Sequence, residues 1–387
     1  MRGADKLQIP RFARNDNLDF MTTTDVLVIG GGPAGLAAAI AARQRGLGVT
    51  VVDSSVPPID KPCGEGLMPD GLAALADLGI SIPAEESHPF RGIRFVSSES
   101  AVDASFPSGH GVGIRRTALH GLMVERAIEA GVTLRWGTTV TALDHEGARL
   151  GDELVRVPWI IGADGLHSRV RAWAGLGGGA CRRRRFAFRR HYRVAPWSDC
   201  MEIHWGPRSQ LYITPIGREE ICLVAISRDP KLRIDEALAD FPAVTARLEQ
   251  VEPASMERGA LSLTCRVRRV CAGRVALIGD ASGAVDAITG DGLCMAFRQA
   301  ARLAECLAAG SLEHYQSAHR SLMRRPAFMG ELMLTLERPA WLRRRVMRAF
   351  ASRPEMFAKL LAAHVGELSL AGFAANGLAL GWGMLAA

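Results

Sequence analysis

Residues 25–45 read DVLVIGGGPAGLAAAIAARQR, and this stretch decides the fold. Asp25 to Ile29 is a short apolar run of β-formers, and Pro33 to Arg45 is an Ala-rich helical segment closed by Gly46. Val49 to Val52 then reads as a second buried strand ending in Asp53. Strand, glycine turn, helix and strand make the βαβ unit of a parallel sheet. Gly30, Gly32 and Gly35 stand in G-x-G-x-x-G spacing across that turn. The first allows the tight turn, the second lets a pyrophosphate approach the backbone, and the third lets helix and strand pack closely. Asp53, 18 residues beyond Gly35, is placed to accept from ribose hydroxyls. A dinucleotide site follows.

Working outward, a helical pattern from about Thr117 to Ala130 leads into a strand at Thr133 to Trp136, and Trp159 to Ile161 reads as another buried strand. From Phe186 to Ser227 the texture changes to alternating segments, including Leu211 to Thr214 and Glu220 to Ile226, as in an antiparallel sheet. Arg274 to Ile278 returns to a buried parallel strand, with a helix from Gly292 to Leu307. The expected organisation is therefore a disordered extension at 1–20 and a discontinuous nucleotide-binding domain at 21–185 and 261–310. A sheet domain for substrate occupies 186–260, and a helical region 311–387.

Composition bounds the partners. Of 47 basic residues only Lys6, Lys61, Lys231 and Lys359 are lysines, and the net charge is +7. No zinc-finger spacing, RNP-like aromatic motif or basic zipper accompanies that charge, so nucleic acid is not an expected partner. The eight cysteines form no C-x-x-C pair and no Cys/His metal spacing, so they read as reduced thiols of a cytoplasmic protein with no metal site. The dense run Arg182 to Arg185, with Arg189, Arg190 and Arg193, reads as a solvated strand and loop or a site for NAD(P)H phosphates. Trp341 to Phe350 reads as a basic amphipathic helix, and Leu368 to Ala387 is uncharged but diluted by glycines. That tail is expected to pack on the protein or lie on the inner face of a membrane rather than span it.

Two later segments resemble the FAD-binding flavoprotein superfamily of aromatic hydroxylases and geranylgeranyl reductases. Gly162-Ala163-Asp164-Gly165, continuing to Arg171, resembles its "DG" motif. Gly279-Asp280-Ala281-Ser282-Gly283, continuing to Gly290-Asp291-Gly292, resembles its "GD" motif. The resemblance implies an α/β, para-hydroxybenzoate-hydroxylase-like FAD-binding Rossmann-type fold with an α+β insert. It implies a cofactor set of Gly30, Gly32, Pro33, Ala34, Gly35, Asp53, Arg116, Val140, Asp164, Gly279, Asp280, Gly290, Gly292 and Leu293, with Arg116 near the flavin phosphate or ribityl chain. Lys61-Pro62-Cys63-Gly64-Glu65-Gly66-Leu67 resembles the "PCG" loop of the geranylgeranyl-reductase-like branch, which makes Cys63 and Glu65 candidate catalytic groups.

The chain also departs from its relatives. Where the reductases carry Tyr-x-Trp-x-Phe-Pro, this sequence has Gln210-Leu211-Tyr212-Ile213-Thr214-Pro215, and Ala287 stands where both branches usually have Pro. Tyr212 joins the candidate catalytic residues, with His191 and His204 as further proton carriers. The leading expectation is NAD(P)H-dependent monooxygenation of an apolar aromatic, polyketide or isoprenoid-like molecule through a flavin C4a-hydroperoxide. The alternative is reduction of a carbon–carbon double bond, and a reading of another class is a non-catalytic prenyl or protein escort.

Overall fold

The computed structural model describes residues 24–337 and 340–369. The extension expected at 1–20 lies outside the described residues, as does the apolar tail from residue 370 onward.

Val26–Ile29 sits inside a six-stranded sheet whose order is Cys271–Ala272, Val275–Leu277, Trp159–Gly162, Val26–Ile29, Val49–Val52 and Thr133–Arg135. All pairings are parallel except the hairpin at 271–277. Every residue of Val26–Ile29 and Val49–Val52 is buried, as a parallel sheet covered on both faces requires. Helices Pro33–Arg43, Arg116–Glu129 and Gly292–Ala308 supply much of the cover, through Leu36, Ile40, Leu119, Met123, Phe297 and Leu303.

The second sheet has eight strands, ordered Gly283–Ala284, Arg258–Arg266, Ala180–Tyr192, Glu220–Ser227, Ser209–Gly217, Met201–Trp205, Gly92–Val96 and Ala101–Ser105. It reaches past the 186–260 segment in both directions. Gly92–Val96 pairs in parallel with Met201–Trp205, placing Phe95 opposite Ile203. Its strands Ser209–Gly217 and Glu220–Ser227 are buried on both faces, and the period of two sorts their side chains. Tyr212, Ile216, Val224 and Ile226 join one core with helices Tyr315–Glu337, Ala340–Ser352 and Pro354–Val365. Leu211, Ile213, Leu223 and Ala225 join another with Ile234–Leu238 and Pro242–Leu248.

Two expectations need correction. Cys181 and Cys265, 84 residues apart, are disulfide-bonded, because the antiparallel register of their strands sets them directly opposite. The arginine run is not uniformly solvated. Arg182 to Arg184 are exposed, but Arg185 and Arg189 are buried. Arg185 Nη1 donates to Asp286 Oδ1 at 2.8 Å in a pair with no solvent exposure on either side chain, and its Nη2 donates to Gln210 Oε1 at 2.7 Å. Asp286 Oδ1 also accepts the Ile288 N–H at 3.0 Å.

Removing one member of such a pair strands the other charge in the interior. Arg185→Met is expected to lower the unfolding free energy by about 3–5 kcal/mol in urea titration, and a loss below about 1 kcal/mol would contradict this account of the pair.

Candidate functional site

One cavity of about 630 Å³ lies between the parallel sheet, the antiparallel sheet and the C-terminal helices. Asp53, Asp164 and Asp280, from three distant segments, all border it. So do Gly30, Gly32, Pro33, Ala34, Arg116, Val140, Gly279, Gly290, Gly292 and Leu293. Gly35 stands behind this wall, where an added Cβ would sit 1.8 Å from Gly30 O. Gly30 has φ +114°, and a Cβ there would sit 2.4 Å from Ala163 O, so the two crossover turns touch backbone to backbone.

The three acids differ in occupation. Asp53 accepts the Gly31 N–H at 2.6 Å and the Ser55 N–H at 2.7 Å. Asp164 accepts from Ser168 Oγ at 2.5 Å and from the N–H groups of Arg169 and Val170 at 2.7 and 3.1 Å, fixing the start of helix Arg169–Trp173. Asp280 is half exposed and, among the described residues, its carboxylate takes only Lys61 Nζ, at 2.7 Å. Sequence reasoning missed His120, whose Nε2 lies 2.9 Å from Gly31 O. Burial lowers the pKa of His120, so the neutral ring donates to that carbonyl and braces the turn.

These residues fit an FAD molecule. Helix Pro33–Arg43 begins on Gly32 with no side-chain cap, which leaves its first N–H groups and its positive end to an anion. Nothing lies within 4 Å of where a Gly32 Cβ would stand. Arg116 is 5% exposed, borders the cavity, and its Nη1 is buried without a hydrogen-bond partner. A phosphate or ribityl oxygen would satisfy it.

The loop at 61–67 forms the adjoining wall. Gly64 O accepts from Thr214 Oγ at 2.7 Å, and the Glu65 N–H donates to Cys63 Sγ at 3.4 Å. Burial pushes the Cys63 thiol up and nearby Arg116 pulls the other way, with a net rise, so the group carries its proton at neutral pH. Glu65 has no side-chain exposure, and its carboxylate is taken by Arg116 N–H, Arg189 and His191. Tyr212 borders the cavity, and its hydroxyl donates to Gln210 Oε1 at 3.3 Å. Burial drives its pKa further above the usual phenol value. His191 lies behind the loop, and His204 is 2.9 Å from Glu202, so neither borders the cavity. Glu65, His191 and Cys222 bring ligand-type atoms within 4.8 Å of one another. Glu65 and His191 are already hydrogen-bonded at 2.7 Å, and Arg115 and Arg189 supply the positive charge there.

Beyond this loop the cavity turns apolar. Phe95, Ile203, Val224 and Ile226 form its floor, and Met333, Phe357 and Leu361 its roof. Sequence reasoning assigned none of them to the site. Strand alternation and the helical period were the available signals, but neither says which buried residue meets a void.

Gly32 and Gly35 separate cofactor contact from folding. Gly32→Val is expected to leave the melting temperature of the apoprotein within a few degrees while abolishing FAD retention. Gly35→Ala is expected to destabilise the apoprotein itself, because its Cβ meets backbone. Flavin absorbance in purified Gly32→Val at the wild-type ratio would contradict this reading.

Comparison with known proteins agrees with the geometry. Residues 23–189 match the FAD binding domain family. The menaquinone reductase of Mycobacterium tuberculosis is 28% identical over 310 residues, covering 70% of this chain and 73% of that protein. Digeranylgeranylglycerophospholipid reductase 1 of Methanothermobacter thermautotrophicus is 26% identical over 298 residues, covering 70% and 74%. The solved structure of the flavin-dependent brominase Bmp2 superposes with a TM-score of 0.77 at 20% identity, covering 89% of this chain and 93% of that one. With a nucleotide cleft of this build, residues 23–189 carry the FAD binding domain match, and the chain as a whole is similar to flavoprotein reductases in sequence and to a flavin-dependent brominase in fold.

Proposed function

We propose that the protein is an FAD-dependent reductase that saturates a carbon–carbon double bond in an apolar, isoprenoid-like substrate, with NAD(P)H as electron donor. The observation that carries the reading is the apolar chamber continuous with the FAD cleft. Two reductases of prenyl-bearing compounds by name, for menaquinone and for digeranylgeranylglycerophospholipid, are similar over most of their length. This reverses the order expected from the sequence, where monooxygenation led.

Bound FAD would supply hydride transfer to carbon. The chain's own residues bind the alkene, exclude water and provide the balancing proton. Phe95, Ile226, Phe357 and Leu361 would hold a hydrocarbon chain by contact alone. Cys63 is the proton donor in this reading: it is protonated, borders the cavity and sits beside Arg116. The Tyr212 hydroxyl, held by Gln210, would orient the chain rather than give up its proton.

Monooxygenation is the second reading, favoured by the strand Gln210 to Pro215, which lacks the reductases' aromatic pattern. The escort reading has less support, because the Asp280 and Gly290–Gly292 segments border the FAD cleft.

Among the described residues no helix is long and apolar enough to cross a membrane. Helix Ala340–Ser352 nevertheless presents Trp341, 61% exposed, beside exposed Arg344 and Arg348, next to the helices that roof the chamber. We read this face as a contact with anionic lipid, from which an apolar substrate would enter.

Reduced protein mixed anaerobically with a panel of polyprenyl compounds is expected to yield products heavier by two hydrogens. Oxygen uptake with incorporation of one oxygen atom, and no anaerobic product, would select the monooxygenase instead. Cys63→Ala is expected to slow saturation about a hundredfold or more while retaining FAD. Sedimentation with phosphatidylglycerol vesicles is expected for the wild type and to fall for Arg344→Glu/Arg348→Glu; equal sedimentation of the two would remove the lipid-contact reading.

A further inference from the structure

Glu65 is a buried acid on a loop, with φ +59°, a backbone region that costs a non-glycine residue free energy. Such a conformation persists only when its surroundings hold it. Here they hold it from three sides. Oε1 accepts the Arg116 N–H at 2.9 Å and Arg189 Nη1 at 3.1 Å, while Oε2 lies 2.7 Å from His191 Nε2. The Glu65 carbonyl accepts the Ile114 N–H at 2.9 Å. Arg189 is pinned in turn by Asp60, at 2.8 and 2.9 Å.

The proton positions follow from donor chemistry. Arg115 Nη1 stands 2.7 Å from His191 Nδ1, and a guanidinium can only donate. Nδ1 must therefore accept, so the neutral ring carries its proton on Nε2 and donates it to Glu65. Arg115 cannot swing away freely, because it is also paired with Glu220, with Nε at 3.0 Å from Oε2. Three donors converge on one carboxylate, and none of them can become an acceptor while Arg115 stays in place.

The consequence reaches the cofactor. Arg116 opens helix Arg116–Glu129, and Glu65 holds its backbone N–H while its side chain enters the FAD cleft with Nη1 unpartnered. The same left-handed turn at Glu65 follows Cys63 and Gly64 at the cavity wall.

We propose that Glu65 is a positioning residue: through the Glu65–His191–Arg115 lock it aims Arg116 at the bound FAD and sets the wall that carries Cys63. Glu65 borders the cavity, but both of its carboxylate oxygens are engaged by Arg116 N–H, Arg189 and His191, so it acts through the groups it holds. The proposal stands on FAD binding and holds whichever reaction the site performs.

Glu65→Gln keeps the shape but turns an amide N–H₂ toward the His191 Nε2–H. The ring cannot change tautomer to accept it, because Nδ1–H would then face Arg115. FAD dissociation constants of the apoprotein, read by flavin fluorescence, are expected to rise about tenfold for Glu65→Gln. In an Arg116→Gln background the same change is expected to add no more than about twofold, because the group that Glu65 aims is gone. Equal costs in the two backgrounds would mean a general loss of structure and would overturn the proposal.

Arg115→Gln frees His191 Nδ1 to carry the proton and donate to Ser255 Oγ, which lies 2.7 Å away. Added to Glu65→Gln, it is therefore expected to recover both folded yield and FAD affinity, which keeps the test decisive even if Glu65→Gln alone misfolds. A double variant that binds FAD no better than Glu65→Gln would also overturn the proposal.

Discussion

Everything in this molecule is arranged around the place where the turn at Gly30 meets the backbone of Ala163. No side chain fits there: a Cβ on Gly30 would stand 2.4 Å from Ala163 O, and one on Gly35 would stand 1.8 Å from Gly30 O. Because the two turns touch, the strands Val26–Ile29 and Trp159–Gly162 end at the same level. Asp53 and Asp164 then flank a single helix N-terminus, and an adenine dinucleotide can lie across that edge of the sheet. A shift of either turn by the width of a methyl group would separate the acids from the helix end.

The antiparallel sheet is attached to this platform by charge as well as by apolar contact. Where it meets the FAD domain the interior is a cavity, which interrupts the apolar contact. Buried ion pairs take that place. Arg185 reaches Asp286 in the segment before Gly290, and Arg189 reaches Asp60 and Glu65 in the loop beside Cys63. Against burial, which alone would raise it, Arg189 holds the Asp60 carboxyl below its ordinary range. Burying charges gains little net stability over apolar packing, but a misdocked arrangement would leave four or more ions unpaired, so the pairs select one docking geometry. The sheet therefore stands at a fixed distance from the edge of the parallel sheet where the glycine turn lies.

What could be read from the sequence was what is contiguous in it. The glycine turn, the strand ending in Asp53, and the segments around Asp164 and Asp280 each carry their geometry within a dozen residues, and all border the cavity. What pairs at long range was silent. Gly92–Val96 is five residues of ordinary β-formers until Met201–Trp205 lies beside it. His191 reads as a lone histidine on a strand, because its partner is 126 residues away. Arg185 and Arg189 sit in a run with no acid near them in sequence, so nothing local showed that they turn inward. Cys181 and Cys265 likewise become a pair only through the register of two strands.

The chamber itself shows how little hydrogen bonding the substrate end of the site offers. Its floor is one face of a sheet sorted by the period of two, and its roof comes from two helices of the C-terminal region. The Tyr212 hydroxyl is already committed to Gln210. Met329 and Met333, which also border it, are unbranched and adapt to irregular shapes. A pocket of this kind distinguishes molecules by length and shape, and a single methylene changes binding only modestly, by about 1–3 kcal/mol. If the substrate is a prenyl chain, the double bond that reacts would depend on how deep the chain enters between Phe95 and Phe357. Regiochemistry would then be set jointly by strand Gly92–Val96 and the C-terminal helices, outside the motifs that border the nucleotide cleft.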